Sequence, residues 1–281
     1  MKIICLVGCL PSATYFVNAI HKYHTVDLVI EEQKAERGAW EKCGRQALLT
    51  FKRYGLIETL NGVSDEVKHR FSHTYAESIH DHYFQDLWHD YDPEIDIWTV
   101  KNINADEVRT RLKQEKNVVI LDHGTSLLKD SVISAADLAL NLHWGLSPYY
   151  RGTHCTEWAL INWDPYNIGV TIHKLTKDID GGDVAAQRRA VVKASDTAYS
   201  INMQLSKMGT DLACRILKDI NAGKELQYHS QEVGLGYLTL NRQWTRHQRK
   251  QVQYIERRKI IKRMLKYPAR QTRLPIIEMD D

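Results

Sequence analysis

Short apolar runs, each closed by glycine or charge, recur through the first 121 residues and leave few folds open. Ile3-Ile-Cys-Leu-Val7 stops at Gly8, Val26-Asp-Leu-Val-Ile30 at Glu31, and Asn117-Val-Val-Ile-Leu121 at Asp122, with Ile95-Asp-Ile-Trp-Thr-Val100 between them. Runs of this length are too short for helices, and those at 3–7 and 118–121, without polar alternation, are what strands buried on both faces look like. Helical stretches separate them. Pro11 opens a helix through about His21, proline being tolerated in a first turn, and residues 105–115 form another. Alternation of buried strands with helices predicts an α/β fold with a doubly wound, mostly parallel, Rossmann-like sheet. The polar stretch from Gln33 to about residue 90 reads as a helical insertion, broken near Asn61-Gly62, forming a flap or an interface.

Composition narrows the class. At 281 residues, 43% hydrophobic and 26% charged, the chain can bury a core and is neither disordered nor membrane-embedded in character. No apolar run is long enough to span a bilayer. The cysteines at 5, 9, 43, 155 and 214 form no C-x-x-C pair, which suits a reducing compartment, so a cytoplasmic location is expected. Leu6-Val7-Gly8-Cys9 has the wording of a lipid-attachment box, but its apolar stretch is shorter than a signal core of roughly 7–15 residues. A first buried strand explains it better. Gly8-Cys-Leu-Pro-Ser lacks G-x-G-x-x-G, so no nicotinamide or flavin is expected.

Past residue 137 the sequence carries its chemistry. Asn141 and His143 are two apart at the end of the run Ala136-Asp-Leu-Ala-Leu140, so on a strand both project to one face. The following Gly145-Leu-Ser-Pro148 ends the strand, and Arg151-Gly152 makes another bend. Gly169-Val-Thr-Ile-His173 reads as a further strand, and Asp180 precedes Gly181-Gly182, where the backbone can bend without crowding a substrate. Each piece alone is ordinary: Asn-x-His in an edge strand, Asp-Gly in a turn. His173 is as consistent with packing as with a role beside the site.

Taken together, Asn141, His143, Leu146, Pro148, Tyr150, Arg151, Gly152, Gly169, Val170, Thr171, His173, Asp180 and Gly182 resemble the 10-formyltetrahydrofolate-dependent formyltransferases. The resemblance covers about residues 117–223, and its local wording is most similar to the sugar-nucleotide N-formyltransferases. It implies formyl transfer from 10-formyltetrahydrofolate to a primary amine, with Asn141, His143 and Asp180 as catalytic residues. It places the folate against Ser126, Leu127, Leu128, Thr176, Asp178 and Ile179, with free backbone groups of the loop reading the pterin edge. Tyr150 and Arg151 are the expected acceptor-binding residues. The acceptor it favours is the amino group of a nucleotide-linked sugar. Aminoacyl-tRNA, a ribonucleotide amine, hydrolysis of the formylfolate, and non-catalytic folate or nucleotide binding stay open. A glycine- and serine-rich phosphate loop, usual after the first strand of glycinamide ribonucleotide formyltransferases, is missing here.

Three expectations complete the reading. The Glu77-Ser-Ile-His80-Asp-His82 stretch has Glu-x-x-His spacing, but no second such pair accompanies it, and no metal is expected. Residues 1–223 form the catalytic domain, and 224–281 a C-terminal extension. Between Asn241 and Pro275 that extension is strongly basic, with Glu256 its one acid. Val252, Ile255, Ile261 and Leu265 recur near helical period, so an amphipathic helix packed on the main domain is favoured over an RNA surface, without excluding nucleic acid. A homodimer is compatible with all of this, and no membrane partner is expected.

Overall fold

The computed structural model describes residues 1–33, 73–267 and 273–278. Most of the expected insertion, including the break at Asn61-Gly62, lies outside the described residues. Seven strands form one sheet in the order β3-β2-β1-β4-β5-β7-β8. They are β1 (Lys2–Gly8), β2 (Leu28–Glu32), β3 (Ile97–Val100), β4 (Val118–His123), β5 (Leu138–His143), β7 (Gly169–Lys174) and β8 (Val184–Arg189). The first five are parallel, and β7 and β8 run antiparallel to their neighbours. The sheet is therefore mostly parallel, as the sequence implies. A two-stranded piece pairs β6 (Tyr150–Gly152) with β9 (Tyr237–Thr239).

Helices cover both faces: α1 (Pro11–His21), α2 (His73–Phe84), α3 (Asp106–Lys113), α4 (Asp130–Ile133), α5 (Cys155–Ile161), α6 (Ala198–Asn221), α7 (Arg246–Arg257) and α8 (Ile260–Lys266). β1 shows why both faces must be covered. Ile3, Cys5 and Val7 enter one core with Phe16, Leu140, Leu142 and Ile172, while Ile4 and Leu6 enter a second with Leu28, Ile30, Val108 and Ile120. Alternate residues go to opposite layers, so the whole strand is apolar.

Two strands run further than their hydrophobic pattern. β2 extends from Leu28 to Glu32 rather than from Val26 to Ile30. Asp27 precedes it and takes the Ile3 N–H on its carboxylate at 2.8 Å. β4 continues past Leu121 through Asp122 and His123. The extra residues are polar yet buried, and for the three acids hydrogen bonds make that tolerable. Glu31 accepts the Tyr91 hydroxyl at 2.8 Å, and Glu32 accepts the backbone N–H groups of Ser126 and Ile103 at 2.7 and 3.1 Å. A pattern read from apolar residues ends two residues short of each strand's edge.

The single basic helix expected near the C-terminus is two helices. Lys259 takes a left-handed conformation at φ 51°, ending α7 and turning the chain into α8. Val252, Ile255, Ile261 and Met264 are buried against the first core, so the helical period is kept on each side of the break. The segment near Ile277 is tied down: Gln187 N–H donates to Ile277 O at 2.6 Å, and Ile277 N–H donates to the Gln187 side chain at 3.0 Å. Among the described residues no helix is long and apolar enough to cross a membrane.

Candidate active site

The carboxyl edge of the sheet gathers polar residues on one face. Register sets Asp122 opposite Asn141 and Asn141 opposite His173, so side chains from β4, β5 and β7 form a row. His143 lies two residues further along β5, on the same face. Asp180 enters from the connection between β7 and β8, in a left-handed conformation at φ 48°. Gly182 is needed there for a reason the sequence does not give. A Cβ on it would lie 1.9 Å from the Lys174 carbonyl oxygen, so chain packing, rather than room for substrate, excludes a side chain.

Asp180 is the hub. Its Oδ2 accepts the Gly152 N–H at 2.7 Å and lies 3.4 Å from His143 Nδ1, while its Oδ1 lies 3.4 Å from Asn141 Nδ2 and 3.5 Å from His173 Nε2. Burial opposes its ionisation, but His143, His173 and the Gly152 N–H together outweigh that and hold the carboxyl well below its ordinary range. Asp180 is therefore a carboxylate at neutral pH. His173 is part of the cluster: its Nε2 is 3.1 Å from Asn141 Nδ2, and its Nδ1 donates to Lys174 O at 2.8 Å.

His143 faces acceptors on both sides. Its Nε2 lies 3.0 Å from Tyr150 O and its Nδ1 faces Asp180, so only the doubly protonated ring satisfies both. Burial works against that charge and pushes the imidazole below its ordinary value, with Asp180 and the Tyr150 carbonyl offsetting part of the effect. Gly145 keeps this contact possible, since a Cβ there would sit 2.3 Å from His143 Nε2 and 2.4 Å from Tyr150 O. A buried neutral imidazole between a carboxylate and a carbonyl can take a proton transiently and give it back.

Asn141, His143 and Asp180 thus share one site. The amide hydrogens of Asn141 are directed at His173 and Asp180, so a bound oxyanion would have to compete for them. Tyr150 and Arg151, the expected acceptor-binding residues, are both engaged within the protein. The Tyr150 hydroxyl donates to Asp164 at 3.0 Å, and the residue meets the cluster through its carbonyl. Arg151 is buried, donating to Ile179 O at 3.2 Å and to Val233 O, and so fixes the turn before Asp180.

The 124–128 loop follows β4 directly. Leu127 is 62% exposed, whereas Leu128 is 4% exposed and packs in the second core, beneath the loop. Ser126 N–H goes to Glu32, and Asn104 holds Leu127 O and Lys129 N–H at 3.0 and 2.7 Å. Ser126 N–H and Leu127 O, two of the backbone groups expected to be free for a ligand edge, are thus paired within the protein. Thr176, Asp178 and Ile179 lie on the β7–β8 connection, where the Thr176 hydroxyl donates to Asp178 O at 3.3 Å and Ile179 O receives Arg151.

Several participants escape sequence reading. Gly152 N–H, Gln231 (whose Nε2 donates to Asp180 O at 3.1 Å) and the Asp122–Thr125 pair at 2.6 Å all belong to this edge. An acid continuing an apolar strand, Leu121-Asp122, was the one available signal. His80, from the Glu-x-x-His stretch, instead pairs with the Tyr199 hydroxyl and packs among Phe84, Trp88 and Tyr199.

Fold and cluster define the class: a Rossmann-like sheet with an Asn/His/Asp group at its carboxyl edge. Residues 65–217 match the formyl transferase family, and the chain belongs to that family. A methionyl-tRNA formyltransferase of Methylacidiphilum infernorum is 34% identical over 107 residues, 38% of this chain and 33% of that protein, so the match spans a third of the relative's length. Two solved structures share the fold. A sugar N-formyltransferase from a Shewanella species superposes with a TM-score of 0.55 at 13% identity, over 90% of this chain and 87% of its own. An N-formyltransferase from Helicobacter canadensis, solved with folinic acid and dTDP-3-aminofucose, gives 0.54 at 14%, over 87% and 73%.

Proposed function

We propose that this protein transfers the formyl group of 10-formyltetrahydrofolate to a primary amine, and that the amine belongs to a nucleotide-linked amino sugar. The observation that carries the transfer reading is Asp180 within 3.5 Å of His143, His173 and Asn141 in one buried cluster. In that reading the amine nitrogen attacks the formyl carbon, giving a tetrahedral carbon with an oxyanion. Asn141 turns an amide hydrogen to that oxygen, a contribution worth about 10²–10³ in rate for one such donor. His143 takes the proton the amine sheds, and the imidazolium is stabilised by the Asp180 carboxylate. The same proton passes to the departing folate nitrogen as the carbon–nitrogen bond breaks, so atoms and charge balance. The sugar acceptor is supported by the fold's likeness to sugar N-formyltransferases, one of them solved with a folate and a nucleotide sugar.

Purified protein, formyl donor and a panel of nucleotide-linked amino sugars test this by mass spectrometry. One product heavier by a formyl group is expected. Turnover of another amine with inertness towards the whole panel refutes the sugar and keeps the transfer. A second acceptor has one specific support, the 34% identity to a methionyl-tRNA formyltransferase. Formylation of charged initiator tRNA, weakening steeply with salt, would establish it. Formate release without any amine would indicate hydrolysis.

A further inference from the structure

A cleft outside the catalytic cluster combines aromatic rings with positive charge. It holds about 310 Å³, at the lower end of small-molecule sites, and lies where the end of α5 meets α7 and the start of α8. Ile161 and Ile260 give it apolar wall, Trp163 and Tyr254 give it rings, and Lys250 gives it a charge. The two rings are 45% and 57% exposed. Trp163 is conspicuous by its position. It follows α5 in the left-handed conformation at φ 59°, with Asp164 N–H donating back to Ala159 O at 2.8 Å. That helix-ending place usually belongs to glycine, yet here it carries the largest side chain and lines the cleft. Lys250 and Tyr254 are four apart on α7 and so share one side of it. The Arg263 guanidinium on α8 lies 6.0 Å from the centre of the Trp163 ring.

The charge around the cleft is one-sided. Between Asn241 and Tyr267 ten lysines and arginines accompany a single acid, Glu256. Glu256 is turned to α6, where it accepts the Ala198 N–H at 2.9 Å. Among the described residues neither Lys250 nor Arg263 is in an ion pair. Exposed rings beside unpaired cations suit a ligand that is planar at one end and anionic at the other. We infer that this cleft binds a nucleotide, its base stacked on Trp163 and its phosphate held by Lys250 and Arg263. The volume suits one nucleotide rather than a strand, whose groove must follow successive phosphates. No residue of the catalytic cluster lines the cleft. Ile161 is at the opposite end of α5 from Cys155, whose Sγ is 3.7 Å from His143 Nε2, and is thus about 9 Å further along the helix. The assignment is therefore independent of which amine is formylated.

Protein labelled with 5-fluorotryptophan tests it by fluorine NMR, with one line for each of the seven tryptophans. The Trp163 line is the one missing from Trp163→Asn, asparagine being tolerant of the left-handed backbone. Titration with AMP should move that line saturably. Adenosine, without the phosphate, and ribose 5-phosphate, without the base, should each bind at least about tenfold more weakly. Lys250→Glu, a change at an exposed side chain, should weaken AMP by a similar factor at unchanged Tm. Trp144, next to His143, reports the other site. A shift of its line while Trp163 stays still would place AMP in the catalytic cleft alone and overturn the inference. So would a Trp163 line indifferent to AMP, an undiminished response in Lys250→Glu, or equal affinity for p-aminobenzoylglutamate, a ring bearing carboxylates instead of phosphate. A response to an oligonucleotide but not to AMP would also overturn it, in favour of a nucleic-acid surface. Formyl transfer is measured separately by mass spectrometry and stands or falls on that assay.

Discussion

His143 and Asp180 have opposite tendencies that meet in one contact, and pH separates them. Burial keeps His143 below its ordinary value, so it is neutral at pH 7 and ready to accept a proton. Acidification removes that capacity, and kcat/KM should fall only at a pH lower than the ordinary histidine range, because burial holds the folded-state value down. His143→Asn, which retains a polar group without a titrating ring, should lower kcat by about 10²–10⁴ while leaving the melting temperature within a few degrees. A comparable fall in Tm and rate would indicate a packing role. Asp122 carries the reverse sign. Its folded-state value lies above its ordinary 3.8, so its burial weakens the fold progressively as pH rises from about 4 to 7. Asp122→Asn should therefore raise Tm at pH 8, by about 2–4 °C for each kcal/mol relieved, with little change at pH 4. Thermal scans at the two pH values decide it.

At the scale of elements, the β7–β8 connection holds the chemistry in place. Gly182→Ala forces a Cβ against the Lys174 carbonyl, and the shift must carry Asp180 with it. Rate should fall by at least about tenfold, with destabilisation on the order of 1–3 kcal/mol. The control belongs to α6, 24 residues long, whose N-terminus is closed by reciprocal bonds between Thr197 and Ser200. Thr197→Ala removes a cap well away from the cluster. It should cost about 1 kcal/mol in chemical denaturation and leave kcat unchanged. Equal kinetic losses in the two variants would mean that Gly182 acts only through global stability.

At the scale of the whole molecule, residues after 223 return to the site. β9 pairs with β6 beside Gly152, Gln231 bonds Asp180 O, and Arg151 reaches Val233 O. Ending the chain at Gly223 would leave Arg151 buried with a carbonyl partner missing and would uncover the β6 edge. Such a truncation should be inactive and should melt well below the full chain, as calorimetry and the formyl-transfer assay can measure; full activity would show residues 1–223 to be self-sufficient. Acid stability also belongs here. His143 and Asp180 both have lowered folded-state values, so each contributes stability above its ordinary value that is lost as pH falls. The loss begins near pH 6.5 with His143 and deepens through the carboxylate range.

Sequence alone dictated the centre of the sheet, because Ile3–Val7 and Val118–Leu121 are apolar throughout and only a two-sided sheet buries them. It also determined that Asn141 and His143 share a face, since strand alternation permits nothing else. Tertiary structure decided the rest. The polar ends of β2 and β4, where Glu31, Glu32 and Asp122 are buried, become strand only because partners distant in sequence or hidden in a loop donate hydrogen bonds to them, while His123 packs its ring against Phe16 and Trp144. Tyr150 and Arg151, conspicuous as substrate ligands in one dimension, face Asp164 and two backbone carbonyls in three. Local periodicity fixes which way a side chain points, but only the packed chain fixes what waits there.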